Sequence, residues 1–291
     1  MSGTATNRTN ISLPTDISAE IIAKTQEQSA VMQLARAINL PGRGLTIPVI
    51  TSDPTASWVG ETESKPVSNP GLDTKIMRGY TLAVIVPFSN QFRRDAQALY
   101  TELVNRLPAA LGQKFDQTVF GSVDKPGSDF DNFASVTACS MATSVYQGLV
   151  DADTAVALAG GINNGYAISP QAKGILLGAV DEQKRPLFIN NISEGGVPTI
   201  LGSKTVVAKG AYVDGSPKTV GFAGDWTKAM YGIVEGVNIT ISEDATLDIG
   251  GGSTINLFQQ NMFAVRAEIE IGFRADTDCF AKLTATSVPS F

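Results

Sequence analysis

The side chains here that could do chemistry are carboxylates, lysines and thiols lacking their commonest partner, because the 291 residues contain no histidine. That removes Ser-His and Cys-His nucleophile pairs, histidine-ligated metals and the usual neutral-pH general base. Carboxylate-only or lysine-based catalysis stays open, and a soluble enzyme of that kind would draw on Glu61, Glu63, Asp181 or Glu182. No GxGxxG, P-loop, GxSxG or DxDxDG spacing accompanies these residues. Cys139 and Cys279 are far apart and lack metal-ligand spacing, so they read as two buried or free thiols in a reducing compartment, not as a disulfide or zinc site. No cofactor and no metal is expected.

The formal net charge of −6 opposes tight binding to a nucleic-acid backbone, which needs clustered Lys and Arg. The nearest approach to a cluster, Arg93-Arg94, reads as the solvated or inter-subunit face of a helix. No run of about 18 apolar residues occurs and the N-terminus has no apolar stretch of the signal-peptide kind, so a soluble, intracellular protein is expected. Apolar residues make up 43% and charged residues 17%, a globular profile with a charged fraction low enough to suit a subunit that hides surface against its own copies.

The elements that must position any site follow from periodicity. Residues 1–13 are small and polar and read as an extended arm. Ile17, Ile21, Val31, Leu34, Ala35 and Ile38 recur at helical spacing before the stop Pro41-Gly42-Arg43-Gly44. Alternation at Leu45, Ile47 and Val49, a Ser/Thr/Pro/Gly/Glu-rich stretch, and an apolar run from Met77 to Pro87 predict a long two-stranded hairpin. Trp58 lies in its polar loop; a large aromatic there either folds back on its own domain or fills a pocket on a neighbour. Ser89 or Asn90 can cap a helix running to about Phe120 with a stripe at Phe92, Ala96, Leu99, Leu103, Leu107, Leu111 and Phe115, and Pro108 predicts a bend near Val104–Asn105. Residues 133–160 predict small-residue helices ending at Gly160-Gly161, and Pro170 suits the first turn of another helix. From Phe263 to Phe273 apolar residues alternate with Ala264, Arg266, Glu268, Glu270 and Gly272, the period-two pattern of a long strand. The mixture makes the fold class α+β.

The segment NMFAVRAEIEIGFRADTDCFAKL from Asn261 to Leu283, with Gly224-Asp225-Trp226 before it, resembles the C-terminal signature of the major capsid proteins of tailed double-stranded DNA bacteriophages. Trp58-Val59-Gly60-Glu61 resembles that family's extended loop, and residues 166–188 resemble the strand and helix of its axial domain. The resemblance implies the Hong Kong ninety-seven-like capsid fold: an N-arm and first helix over 1–44, an E-loop hairpin over 45–87, a peripheral domain with a long spine helix over 88–132, an axial domain over 133–235, and peripheral terminal strands over 236–291. It further implies a shell subunit forming hexamers and pentamers around packaged DNA without sequence-specific contacts, in the virion, after assembly in the host bacterial cytoplasm. Inter-subunit contact would fall to Trp58, Glu61, Arg93, Arg94, Arg266 and Arg274.

Partners implied by the resemblance are a portal protein at one vertex, an optional decoration protein and, since the chain starts at Met1 with no long charged helical segment before the arm, a separate scaffolding protein. Some members of the family weld subunits through a lysine–asparagine isopeptide bond assisted by a glutamate. The matching residues are Lys65 or Lys75, Asn261 and Glu268; against that use, Glu268 can instead pair with Arg266 or Arg274, and Asn261 can bond a loop. An encapsulin-like compartment holding an enzyme cargo is the alternative with the same fold.

Overall fold

The alternating run before residue 275 becomes an interior strand with both edges paired. In the computed structural model, which describes residues 29–52, 54–61, 64–68, 71–90, 96–181, 183–185, 187 and 199–285, the first described elements are α1 (Ala30–Leu34) and β1 (Arg36–Asn39). It continues through β2 (Leu45–Ser52), β3 (Gly71–Met77), β4 (Tyr80–Ser89), α2 (Ala96–Val119), β5 (Thr137–Ser140) and α3 (Val145–Leu158). Next come β6 (Gly165–Ile168), α4 (Pro170–Leu177), β7 (Thr199–Ile200), β8 (Ser203–Val207) and β9 (Lys218–Gly224). The last strands are β10 (Ala229–Ser242), β11 (Thr246–Gly250), β12 (Ser253–Asn256), β13 (Met262–Ala275) and β14 (Phe280–Ala285).

One sheet has the order β1-β10-β13-β4 and the other β5-β14-β9-β6-β8-β7, while β2–β3 and β11–β12 form separate two-stranded sheets. β13 runs antiparallel to β10 on one side and β4 on the other, so its polar backbone is satisfied along nearly its whole length. Phe263, Val265, Ala267, Ile269, Ile271 and Phe273 are all buried, and Arg266 on the opposite face is exposed. Leu107 and Leu111 of α2 pack on Phe263, Val265 and Ile269, the match of a helical stripe to one face of a sheet. The helix is continuous from Ala96 to Val119, Pro108 included.

The two sheets share a core. Phe115 and Phe120 at the end of α2 meet Phe222, Phe273 and Phe280 from the two sheets together with Phe133 and Trp226 from the connections. Phe133 stacks on Phe280 at 4.3 Å between ring centroids and meets Phe273 edge-on at 5.7 Å. On the far face of the six-stranded sheet, Leu149, Ala152 and Val156 of α3 and Ala172 and Leu176 of α4 bury Tyr166, Ile168, Val220 and Leu283. α3 ends at Gly160, whose φ of +76° suits glycine. Pro170 opens α4, and the buried Ser169 hydroxyl accepts from the Ala172 N–H at 3.1 Å. Ser169→Ala is expected to cost about 1 kcal/mol and lower the melting temperature by about 2–4 °C in calorimetry.

Three local expectations give way to distant partners. The helix expected through Ile38 stops at Leu34, because Arg36–Asn39 are recruited as a strand parallel to β10; Ile17 and Ile21 lie outside the described residues, as does Phe92. Residues 137–140 form no helix but a strand parallel to β14. The return strand of the hairpin is Gly71–Met77, not Met77–Pro87. The chain breaks at Arg78-Gly79, where any Cβ on Gly79 would lie 2.5 Å from Val234, and the residues beyond it join β13.

Candidate functional site

The feature set apart from the body is the ribbon. β2 and β3 pair from Leu45↔Met77 to Ser52↔Gly71 and gain no third strand among the described residues, although an isolated two-stranded ribbon is marginal in water. Its loop carries Trp58 at 104% relative exposure and Val67 at 87%. Trp58 therefore does not fold back on the described body of its own chain. Glu61 is also exposed in that loop, as is Lys65.

The ribbon's root is clamped. Met77 is fully buried, and Gly232 and Gly272 leave room for it and for Leu40: a Cβ on Gly272 would sit 2.5 Å from the Arg78 carbonyl oxygen. Arg274, almost fully buried, donates from Nε to the Ile76 carbonyl at 2.7 Å and from Nη1 to Asp131 Oδ1 at 2.8 Å. It also donates from Nη2 to Asp129 Oδ1 at 3.2 Å and from Nη1 to the Ser128 carbonyl at 3.3 Å. Asp131 Oδ2 accepts from the Ala275 N–H at 3.1 Å, Lys75 Nζ donates to the Ala275 carbonyl at 3.2 Å, and Arg78 Nε lies 3.3 Å from Asp129 Oδ2. A planar guanidinium with several fixed donors can join one ribbon strand, the 128–131 loop and the end of β13 at once. Beside it opens a cavity of about 330 Å³ lined in part by Ile47, Pro48, Lys228, Met230 and Asp276.

The other expected site residues scatter. Asn261 adopts φ +51° at the start of β13, where its Oδ1 accepts from Asn90 Nδ2 at 2.9 Å. Glu268 pairs with Arg266 two residues away on the same strand at 3.1 Å. Lys75 binds at the opposite end of β13, whose 14 residues span roughly 45 Å, so Lys75 and Asn261 do not meet within one chain. Arg93, Arg94, Glu63 and Glu182 lie outside the described residues. Asp181 closes a turn by accepting from the Arg185 N–H and Nε, each at 2.7 Å, and the Arg185 backbone bond leads the effects that hold its carboxyl below the usual range. It is far in sequence from Glu61 on the ribbon, and among the described residues no group of three or more Cys, Asp or Glu gathers to hold a metal. Cys139 and Cys279 are buried free thiols, as expected; burial is the largest influence on each and pushes both thiols up. Among the described residues no helix is long and apolar enough to cross a membrane.

Gly224-Asp225-Trp226 is a packing device. A Cβ on Gly224 would collide with the Phe280 ring, Trp226 Nε1 donates to the Gly165 carbonyl at 2.9 Å, and Asp225 caps the turn after it. Burial pushes the Asp225 carboxyl up, but donors from Thr227 and Ile162, with Lys228 nearby, hold it below the ordinary range. Sequence reasoning passed over Asp116 and the pair Asp129 and Asp131. The available signal was an acidic residue beside Phe115 and Val119 on the apolar stripe of α2, a position that demands hydrogen-bond partners.

The phage capsid family model matches residues 10–283. The chain belongs to the phage capsid family. It is 29% identical over 287 residues to a probable major capsid protein of Mycobacterium phage L5, covering 91% of this chain and 86% of that one. Against the major capsid protein of Staphylococcus phage 80alpha the identity is 24%, with 93% and 84% covered. A solved chain from Microbacterium phage Oxtober96 superposes with a TM-score of 0.71 at 22% identity, covering 97% of this chain and 96% of that one. The capsid chain of an empty GTA particle gives 0.64 at 13% identity, with 99% and 96% covered. The capsid-family fold is thus present along essentially the whole chain, and the family resemblance read from residues 261–283 holds.

Proposed function

We infer that this chain is the major subunit of a bacteriophage head shell, a structural protein that assembles into hexamers and pentamers around packaged double-stranded DNA. The observation carrying this reading is Trp58, wholly exposed on a ribbon that pairs with no third strand among the described residues, in a chain of the phage capsid family. A large aromatic left in water becomes favourable when a neighbouring copy buries it. In this reading the ribbon is the E-loop, α2 the spine helix, the four-stranded sheet the peripheral domain and the six-stranded sheet the axial domain. Glu61 and Arg266, both exposed, belong with Trp58 among the contacts, whereas Arg274 acts by holding the ribbon's root. The net charge of −6 suits an inner wall that does not hold the DNA tightly. Scaffolding and portal proteins are the partners of assembly in the host cytoplasm, with a decoration protein optional, and the finished subunit resides in the virion.

Electron microscopy of the purified protein, produced with its scaffolding partner, tests the reading. Closed polyhedral shells or rings of six and five are expected; a compact monomer at high concentration would overturn it, and shells filled with protein cargo would make it a cellular compartment. In this reading the shell is held without covalent welds, which is supported by Asn261 bonding Asn90 and Glu268 pairing with Arg266. Mature shells boiled in denaturant should therefore run as a monomer band, and a ladder of higher species would contradict this.

A further inference from the structure

Asp116 is a charged residue type at 1% relative exposure in the core side of α2. Its carboxyl reaches the start of α1: Ser29 Oγ donates to Oδ1 at 2.6 Å, the Ala30 N–H to Oδ2 at 2.8 Å and the Val31 N–H to Oδ1 at 3.3 Å. Ser29 Oγ in turn accepts from the Met32 N–H at 3.2 Å, so the serine and the aspartate together cap α1. A third element closes over the pair: a Cβ on Gly210, in the 209–211 turn, would lie 2.5 Å from Asp116 Cβ. The described neighbours supply no counter-charge. α1 carries no charged residue, Lys114 on α2 and Lys209 on the turn are exposed, and Lys204 on β8 is spent on the Gln33 carbonyl at 3.3 Å.

We propose that Asp116 is a pH-responsive latch, fastening α1, and with it the chain entering at Ser29, to α2 while the carboxyl is neutral and loosening it when the carboxyl ionises. Both protonation states have a bonding pattern to adopt. In the neutral acid the Asp116 hydroxyl donates to Ser29 Oγ; on ionisation its proton leaves to solvent and the serine hydroxyl donates to the carboxylate instead. The charged state keeps its three donors yet loses its hydration in a site without a cation, and the second effect dominates. Burial thus pushes the Asp116 carboxyl up to about 7, against the lowering effect of Ser29, Ala30 and Val31. Because the folded value is raised above the ordinary 3.8, the folded chain binds more protons than the unfolded one between the two values. Stability from this site is full at low pH and is lost as pH rises toward and through neutrality.

The test is hydrogen–deuterium exchange of the 29–40 segment in the full-length subunit over a pH series that includes pH 6 and pH 8, corrected for intrinsic exchange rates. Wild-type protection is expected to fall about tenfold across that interval, and Asp116→Asn to abolish the difference. Ser29→Ala lowers protection at both pH values by removing a cap, and it also moves the midpoint upward because the charged form loses a donor. Equal wild-type protection at the two pH values, or the same fall in Asp116→Asn, would overturn the latch. Should Asp116→Asn fail to fold, an unmoved midpoint in Ser29→Ala would do so.

Discussion

Trp58→Ala is expected to prevent closed shells from forming at wild-type concentrations while leaving the melting temperature of the isolated subunit unchanged. The side chain is wholly exposed, so truncating it removes no packing from the fold. In an interface between copies an aromatic anchor is commonly worth about 2–4 kcal/mol, which is roughly a 30- to 1000-fold weakening of each contact. A shell repeats that contact on every subunit, and the closed particle depends on many such contacts engaged together. Sedimentation and microscopy measure assembly, and calorimetry measures the fold. Wild-type yields of shells from the variant would refute the role given to Trp58, whereas a lowered melting temperature would mean that the residue packs within its own chain.

Arg274→Met should act in the opposite way, destabilising the subunit itself by about 3–5 kcal/mol. The substitution leaves Asp129 and Asp131 partly buried without their main cation and strips donors from the carbonyls of Ile76 and Ser128. Lys75 and Arg78 are more exposed, at 38% and 61% of the side chain, and cannot substitute in the interior. Arg274→Lys should recover little, since one ammonium group cannot span acceptors on the ribbon, the 128–131 loop and both aspartates. Against a usual domain stability of about 5–15 kcal/mol the loss is large, and denaturant unfolding would register it as a lowered midpoint. A change below about 1 kcal/mol would show that the cluster is ornamental to stability.

Much of the frame was legible where one residue's neighbours in sequence decide its fate. The alternation from Phe263 to Phe273, the stripe Leu107, Leu111 and Phe115, the stop at Gly160 and the helix start at Pro170 all encode local geometry, and each element stands where periodicity put it. The four-residue strands β1 and β5 were not legible, because a segment that short becomes a strand only when a distant edge recruits it, here β10 and β14. The break at Gly79 was hidden for the same reason: what stops the ribbon is the nearness of Val234 and Glu270, residues on other strands. The site divides likewise. Trp58 could be singled out from its polar surroundings, but whether it turned inward or outward could not. Arg274 looked like an outward charge on an alternating strand; its partners lie 143 to 198 residues away in sequence, and only their convergence makes it internal.

The strand order also sets a schedule. β13 is interior to one sheet and β14 to the other, and both come from the last thirty or so residues of the chain. During synthesis, β4, β5, β9 and β10 emerge first and must wait for these strands before either sheet can complete its hydrogen bonding. The aromatic core waits as well, since Phe273 and Phe280 arrive with them. A chain cut short before this segment has no finished body on which to mount the ribbon. On the reading of this chain as a shell subunit, incomplete translation products would thus be left out of the particle, a check on length that follows from the strand order alone.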